Sequence, residues 1–402
     1  MIENDKQTHI LVECPELIAS VRLGVLAPLA PLEKDGLCEV RFRRTVDIHK
    51  RDIEWCDVYV CVRGFERIHV FLSQVVKRSG RTLLYFLDDD LADIPSDIPS
   101  ANFAILCNAR ENIQAILRNA DALWVVNDHL GKKYSAWCPR VLLSRVPVDL
   151  TDIPRNPAPD RKLRVLYAGS LDHTLMIQKQ LVPAILRLLD NYPENFSFTF
   201  IGADPGITVK DKLSYHPFLD SYDAYKKLVK SGRFHIGLAP IRPESFFGYK
   251  YYNKFIEYAS DGIVGIYAFQ RPYTEVVVDG YNGYLTDCEP EDWYQALLRA
   301  WRERDKLTLL ADNAITLLQK DFSPRSVGDQ LKNQGGDLLL RKTSGVVQWP
   351  FPYSVKGIFF IERIHYHFRR NRILAIPILG YRLARKIAKL LLKWGQRLAR
   401  RR

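Results

Sequence analysis

The amino-acid sequence predicts an α/β protein made of two consecutive parallel-sheet units, followed by a basic tail. Three observations support this prediction. Short apolar runs alternate with helical stretches along most of the 402 residues. The alternation is broken at 152–160, where nine residues contain three prolines. It then begins again, so each half, of roughly 150 residues, is long enough to form a domain.

The first half contains apolar runs without polar alternation, which are typical of strands buried on both faces by helices. The predicted strands are Val58–Val62, Thr82–Leu87 and 122–126, and a helix is predicted over Ala109–Asn119. The second half repeats this pattern. Its predicted strands are 163–168, 196–201, 234–239 and 263–267, and its predicted helices are 178–190, 222–230 and 250–259.

These patterns divide the chain into four parts. We expect an N-terminal domain over 1–151, a Pro-rich linker over 152–162, a second domain over 163–335 and a basic tail over 353–402. Ligands of parallel sheets bind beyond the carboxyl ends of the strands. The cleft between the two domains is therefore the predicted site.

Charge is distributed unevenly between the body and the tail. The formal net charge is +12, but residues 354–402 hold 14 Lys and Arg against one acid, Glu362, which leaves a net charge of −1 for the rest. The near-average composition excludes a disordered, collagen-like or disulfide-rich chain. Seven scattered cysteines form no metal-binding pattern, and the N-terminus lacks the features of a signal peptide. We therefore expect a cytoplasmic protein.

The predicted helix 250–259 contains the residues with the strongest chemical signal. Lys250, Lys254 and Glu257 are spaced to lie on one helical face. A solvated charged stripe is one interpretation. Two lysines four residues apart repel each other unless an anion lies between them. A helix N-terminus and two cations suit a diphosphate, and Glu257 suits the two hydroxyls of a ribose.

This segment resembles the donor-binding half of GT-B glycosyltransferases, specifically the retaining group 1 (family 4-like) enzymes. The matching motifs are Lys250-Tyr-Tyr-Asn-Lys-Phe-Ile-Glu-Tyr258, Asp261-Gly262, Tyr273-Thr-Glu-Val276 and Asp279-Gly-Tyr-Asn-Gly283. Val165-Leu-Tyr-Ala-Gly-Ser-Leu171 is similar to the first strand and glycine turn of that domain. The resemblance covers 163–322 well and the first domain in outline. It implies two Rossmann-like domains that face a cleft.

The resemblance also implies roles for individual residues. Glu257 would bind the ribose, while Lys250, with Lys254, would neutralise the departing diphosphate. Gly169 and Ser170 would face the phosphates or the sugar. Tyr273, Thr274 and Glu275 would offer backbone N–H groups to the donor. The resemblance further implies a transfer that retains configuration, as in most relatives, and two cations with a helix end would stabilise the leaving group with neither a metal nor a cofactor.

Two positions depart from the family pattern. Tyr249 stands where many relatives have a glutamate, and Leu171-Asp-His-Thr174 stands where they often have an arginine. Glu244 or His173 would then take over the contact with the sugar. The alternatives are a variant branch of the family and a protein that binds without turnover.

In the first domain, Asp88, Asp89 and Asp90 follow an apolar strand directly. One interpretation is a capped turn, and another is a Mg²⁺ site, although a run of carboxylates is weak support for a metal. Our functional interpretation is that they bind hydroxyl groups of the acceptor or sugar, with Asp88 or Asp89 as a candidate base. His129 also follows a strand, where a structural role is the commoner one.

The tail reads as a basic amphipathic helix that lies in the plane of a membrane. Its basic face would contain Arg382, Arg385, Lys386, Lys389 and Lys393, and its apolar face would contain Leu390, Leu391 and Trp394. Packing of this helix on the protein body is the alternative. Nucleic acid is a poorer partner, since Leu and Trp interleave with the charges.

Together these features predict a glycosyltransferase bound to the inner face of the cell membrane. It would move a sugar from a nucleotide-diphosphate donor to a hydroxyl of a glycan or a lipid-linked acceptor. An inactive membrane scaffold and a nucleotide-sugar epimerase or hydrolase on the same fold are the alternatives.

Overall fold

The computed structural model describes residues 7–96, 98, 101–148, 150, 153, 161–219, 221–242, 245–349, 355 and 357. They form two six-stranded sheets in which every strand pairing is parallel. Helices cover both faces of each sheet. This arrangement confirms the predicted α/β fold with two Rossmann-like domains.

The first sheet has the strand order β2-β1-β3-β4-β5-β6. Its strands are β1 Thr8–Cys14, β2 Cys38–Arg44, β3 Val58–Val62, β4 Thr82–Leu87, β5 Ala122–Val125 and β6 Val141–Leu143. Its helices are α1 Ala19–Val21, α2 Ala27–Lys34, α3 Lys50–Trp55, α4 Arg67–Arg78, α5 Ala101–Leu106, α6 Ala109–Asn119 and α7 Asp128–Tyr134. Every residue of β3, β4 and β5 is buried, which is why these strands read as unbroken apolar runs.

The second sheet has the strand order β12-β11-β10-β7-β8-β9. Its strands are β7 Leu163–Gly169, β8 Phe196–Gly202, β9 Leu213–His216, β10 Ile236–Ala239, β11 Val264–Ala268 and β12 Tyr284–Thr286. The helices that follow the linker are α8 Thr174–Gln180, α9 Val182–Asn191, α10 Tyr222–Gly232, α11 Ser245–Gly248, α12 Asn253–Ser260, α13 Pro290–Arg302, α14 Leu307–Asp321 and α15 Pro324–Leu339.

The helix predicted over 250–259 begins three residues later than expected. It is α12, and Tyr252 before it has a non-helical ψ of 48°. The rings of Tyr251 and Tyr252 pack with centroids 4.1 Å apart. The Tyr251 hydroxyl accepts a hydrogen bond of 3.0 Å from Val146 N in the first domain. This contact between domains holds the segment in place before the helix starts.

The last helix, α15, packs on the first sheet, although it follows the second sheet in sequence. Ser323 caps it, and Pro324 occupies its first position. Gly335 lies directly against Leu142 of β6, and Arg325 pairs with Asp35 at the end of α2. The predicted range 163–335 therefore ends inside a helix that is packed on the first domain.

After α15 the chain crosses the amino-terminal ends of β1, β3 and β4. Asp57, which is buried, is the centre of this crossing. It accepts hydrogen bonds from His9 N at 2.9 Å and from Thr343 N at 2.9 Å, and Lys342 Nζ lies 3.3 Å away. Burial raises the pKa of Asp57, but these hydrogen bonds and Lys342 outweigh burial, so its pKa is lowered.

We expect Asp57→Asn to lower the free energy of unfolding by about 2 kcal/mol at pH 7, since it weakens hydrogen bonds to a charged group. The pKa of Asp57 is lower in the folded state. Its stabilisation is therefore complete above the unfolded value of about 4 and is lost as pH falls through the folded value. Urea unfolding at several pH values measures this. The control is Asp337→Asn, an exposed partner of Arg140, which should cost far less. Equal losses in the two variants would contradict the prediction.

Candidate active site

The carboxyl ends of the two sheets meet, and polar side chains from both domains gather there. Asp88 and Asp89 follow β4, and Asn127 follows β5. From the second domain, Ser170 follows β7, and Lys250 lies between α11 and α12. This is the edge at which ligands of parallel sheets bind, as the sequence predicts.

Arg63 holds the acidic pair in place. Its Nη1 lies 2.5 Å from Asp88 Oδ1, 3.1 Å from Asp89 Oδ2 and 3.3 Å from Ser20 Oγ. All three charged side chains are only about one-fifth exposed, at 21–22%. Burial raises the pKa of Asp88, and the charge of Asp89 raises it further, against the opposing effect of Arg63. Asp88 is therefore more readily protonated than an ordinary aspartate.

The backbone around Arg63 is fixed by its neighbours. Arg63 has a left-handed φ of 55°, which is uncommon for a residue other than glycine. Its N–H donates to Phe86 O at 2.9 Å, and the Tyr85 hydroxyl donates to Gly64 O at 2.6 Å. A side chain at Gly64 would come within 2.5 Å of the His69 ring. The sequence reading missed Arg63, although an Arg-Gly pair directly after a buried strand is a detectable signal.

The third aspartate of the cluster has a different surrounding. Asp90 is 1% exposed, pairs with Lys133 and accepts a hydrogen bond of 2.5 Å from the Tyr134 hydroxyl. It belongs to the packing of α7 and not to the group around Arg63. In the part of the chain that the structure describes, no three His, Cys, Asp or Glu side chains converge as a metal-binding group.

Tyr249 ties the second domain to the first. Its ring stacks on His129 with centroids 4.6 Å apart and an angle of 15°. Its carbonyl oxygen accepts a hydrogen bond of 2.7 Å from Asn127 Nδ2. Asn127 also caps α7, since its side-chain oxygen accepts from Leu130 N at 2.7 Å. The sequence pointed to both His129 and Tyr249 but did not predict that they stack on each other between the two domains.

Lys250 is not on the same helical face as Lys254 and Glu257, because α12 starts only at Asn253. The prediction that one helix carries all three side chains is therefore wrong. Lys250 instead reaches the first domain, where its Nζ lies 3.4 Å from Asp89 Oδ1. Lys254 pairs with Glu257 within α12 at 2.5 Å.

The two lysines nevertheless act on the same neighbour. His173 follows β7, and its Nδ1 lies 2.9 Å from the Tyr167 hydroxyl. Burial lowers the pKa of His173 to about 4, and the charges of Lys250 and Lys254 contribute to this shift. Burial, with a smaller contribution from both cations, therefore keeps His173 neutral at pH 7. A neutral imidazole and two ammonium groups, each with one carboxylate partner, therefore lie near the glycine turn.

The glycine turn allows the ends of β7 and β8 to approach closely. A Cβ atom at Gly202 would lie 2.0 Å from Gly169 O, and Gly202 has a φ of 88°. A Cβ atom at Gly169 would lie 2.8 Å from His173 Nδ1. Glycine at 169 thus leaves room for His173 beside the turn, and Ser170 follows directly.

The predicted backbone donors of Tyr273, Thr274 and Glu275 are already used within a tight turn. Their N–H groups donate to Gln270 O at 3.0 and 3.3 Å and to Pro272 O at 3.2 Å, respectively. The structure therefore does not present free backbone N–H groups here. The side chain of Tyr273 is close to Glu257. Burial and the charge of Glu257 raise its pKa.

Several predicted features lie outside the described residues. They include Glu244, most of the Pro-rich linker and the tail residues Arg382, Arg385, Lys386, Lys389, Leu390, Leu391, Lys393 and Trp394. Among the helices that the structure does describe, none has the length and apolar character needed to cross a bilayer.

We expect Arg63→Ala to lower the free energy of unfolding by about 2 kcal/mol, because it removes the charged hydrogen bonds to Asp88 and Asp89 and leaves only the longer contact of Asp89 with Lys250. Guanidinium unfolding at pH 7 measures this loss. The loss should shrink when Asp88→Asn is added to Arg63→Ala, since one of the two negative charges is then gone. If the double variant were as unstable as the sum of the two single variants predicts, the charge cluster would not be the cause.

Neither known family profiles nor curated proteins match the chain in sequence. Solved structures do match it. HepE from Anabaena, in complex with UDP-glucose, has a TM-score of 0.60 at 13% identity over 81% of this chain and 99% of that one. Sucrose-phosphate synthase from Thermosynechococcus elongatus has a TM-score of 0.58 at 13% identity, over 81% and 98%. A glycosyltransferase from Rickettsia africae has a TM-score of 0.56 at 13% identity, over 84% and 100%. The chain therefore has the GT-B fold that its resemblance to glycosyltransferases implies.

Proposed function

We propose that this protein is a glycosyltransferase that moves a sugar from a nucleotide-diphosphate donor to a hydroxyl of a glycan or lipid-linked acceptor. One observation carries the proposal. Lys250 of the second domain, with Lys254 and the neutral His173 near it, meets the Arg63-held pair Asp88 and Asp89 of the first domain. The proposal gains support from neighbours of the same fold that were solved with UDP or UDP-glucose.

The second domain binds the donor. Lys250 and Lys254 neutralise the diphosphate, and Glu257 accepts hydrogen bonds from the ribose hydroxyls. Gly169 and Ser170 approach the phosphates with their backbone. Because His173 is neutral, it can exchange hydrogen bonds with the transferred sugar without adding charge.

The first domain binds the acceptor. Asp88 and Asp89 accept hydrogen bonds from its hydroxyl groups. The acceptor oxygen forms a bond to the anomeric carbon while the bond from that carbon to the phosphate oxygen breaks. The negative charge that develops on the diphosphate is stabilised by the two lysines. The acceptor proton leaves to the departing phosphate or to Asp88, whose raised pKa favours taking it up. We propose that this reaction uses no metal and retains configuration, which requires the acceptor oxygen to approach the anomeric carbon from the face that the diphosphate leaves.

Nucleotide binding tests the donor half directly. We expect UDP, GDP or ADP, or a sugar derivative of one of them, to raise the melting temperature of the purified protein. Lys250→Ala and Glu257→Ala should each weaken that nucleotide about ten-fold in calorimetry, because each removes a charged contact.

The matched controls for this test lie outside the site. Lys212→Ala and Glu291→Ala each remove one member of an ordinary ion pair in the second domain and should leave the affinity unchanged. Failure of every nucleotide to bind the folded protein would contradict the proposal. Binding without turnover of any nucleotide sugar would instead favour the inactive scaffold, and product analysis would reveal an epimerase or hydrolase.

We further propose that the basic tail holds the enzyme on the inner face of the cell membrane. The support is the pattern at 381–398, in which five of the six cations fall on one face of a helix and Leu and Trp residues fall on the other. Residues 342–349, which precede the tail in sequence, are bonded to the first domain, which is the domain that we assign to the acceptor.

Vesicle sedimentation tests the tail. The full chain should bind vesicles of phosphatidylcholine with 30% phosphatidylglycerol and should bind pure phosphatidylcholine far less, since each basic residue contributes about 1 kcal/mol near an anionic surface. Replacing Arg382, Arg385, Lys386, Lys389 and Lys393 with Gln should abolish the binding. Replacing five exposed cations of the body, for instance Lys50, Lys77, Lys132, Arg187 and Arg325, should not. Equal binding by both variants would contradict this proposal.

A further inference from the structure

Asp89 lies between cations of both domains and uses a different oxygen atom for each. Its Oδ2 lies 3.1 Å from Arg63 Nη1 of the first domain. Its Oδ1 lies 3.4 Å from Lys250 Nζ of the second domain. The first contact joins neighbouring loops of one sheet, while the second crosses from one domain to the other.

Lys250 has few other ways to compensate its charge. Within the described residues, Asp89 is the one carboxylate within 4.0 Å of its ammonium group. The rings of Phe246 and Phe247 also lie near it, with centroids 5.2 and 5.9 Å from Nζ. Lys254, by contrast, has Glu257 within its own helix.

A bound diphosphate would compete with Asp89 for this ammonium group. A diphosphate carries more than one negative charge, and its oxygens accept strong charge-assisted hydrogen bonds. The Lys250–Asp89 contact is long and partly exposed, at 35% for Lys250 and 22% for Asp89, so it is weak. The diphosphate therefore replaces Asp89 as the partner of the Lys250 ammonium group.

We propose that donor binding transfers Lys250 from Asp89 to the diphosphate, and that the released Oδ1 of Asp89 then binds the acceptor hydroxyl. This inference rests on the proposed function. Arg63 keeps Oδ2 in place during the exchange, so the carboxylate stays oriented while one of its oxygens becomes free. The donor therefore binds before the acceptor, because only then is the acceptor contact available.

Calorimetric titration with UDP, or with whichever of UDP, GDP and ADP binds, tests the exchange. Asp89→Asn removes the competing charge and should tighten the nucleotide about two- to five-fold, the range that a partly exposed ion pair allows. If Asp89 did not compete with the nucleotide for Lys250, Asp89→Asn would leave the nucleotide affinity unchanged or lower it. The matched control is Asp93→Asn, since Asp93 pairs with Arg110 and Lys133 and makes no contact with Lys250. Its affinity should equal that of the wild type.

The tighter nucleotide binding expected for Asp89→Asn requires Lys250. In a Lys250→Met background, Asp89→Asn should therefore give no tightening. If the tightening persisted there, removal of a nearby negative charge in general would be the cause, and the partner exchange would be overturned. Asp89→Ser serves as a second variant if Asp89→Asn does not fold, as judged by circular dichroism and melting temperature.

The outcomes separate this inference from the proposed function. If the wild type binds a nucleotide and Lys250→Met weakens it, but Asp89→Asn does not tighten it, only the exchange is overturned. If the folded wild type binds none of the nucleotides, the donor site is overturned and the exchange with it.

Discussion

The attachment of residues 249–252 to the first domain is the constraint on which the candidate site depends. Tyr249 is held by stacking on His129 and by the Asn127 amide, and Tyr251 is held by Val146 N. Lys250 lies between these two fixed residues, and its side chain therefore faces the carboxyl end of the first sheet. The same attachment delays the start of α12, so that Lys254 and Glu257 stay on the second domain while Lys250 reaches across to the first.

A second constraint is the way in which the chain passes between the domains. It leaves the first sheet before the linker and returns at Phe322, and Val148 N donates to Phe322 O at 2.8 Å where the two passages run side by side. After the return, α15 and residues 342–349 pack on the first domain. The first domain therefore includes α15 and residues 342–349, and Asp57 binds the latter segment at the amino-terminal ends of the strands.

The sequence predicted most of the buried strands but missed β1, which lies inside the first sheet and is almost wholly buried, because His9 and Glu13 interrupt its apolar run. Strands β3 and β5 are apolar throughout, β4 is apolar after Thr82, and all three were predicted, whereas β2 at the sheet edge alternates Glu and Arg with apolar residues and was not. The sequence placed Asp88 and Asp89 at a strand end, but three adjacent aspartates look alike in a sequence. Only packing separates Asp90, which pairs with Lys133, from the two that Arg63 holds. The start of α12 was mispredicted because its cause is a contact with the other domain, which local periodicity does not encode.

A crystal structure of the protein with a bound nucleoside diphosphate would test the central claim most directly. The account predicts phosphate oxygens within hydrogen-bond distance of Lys250 Nζ, the ribose on Glu257, and Asp89 Oδ1 no longer in contact with Lys250. A nucleotide bound elsewhere, with the Lys250–Asp89 contact intact, would contradict the assignment of the site.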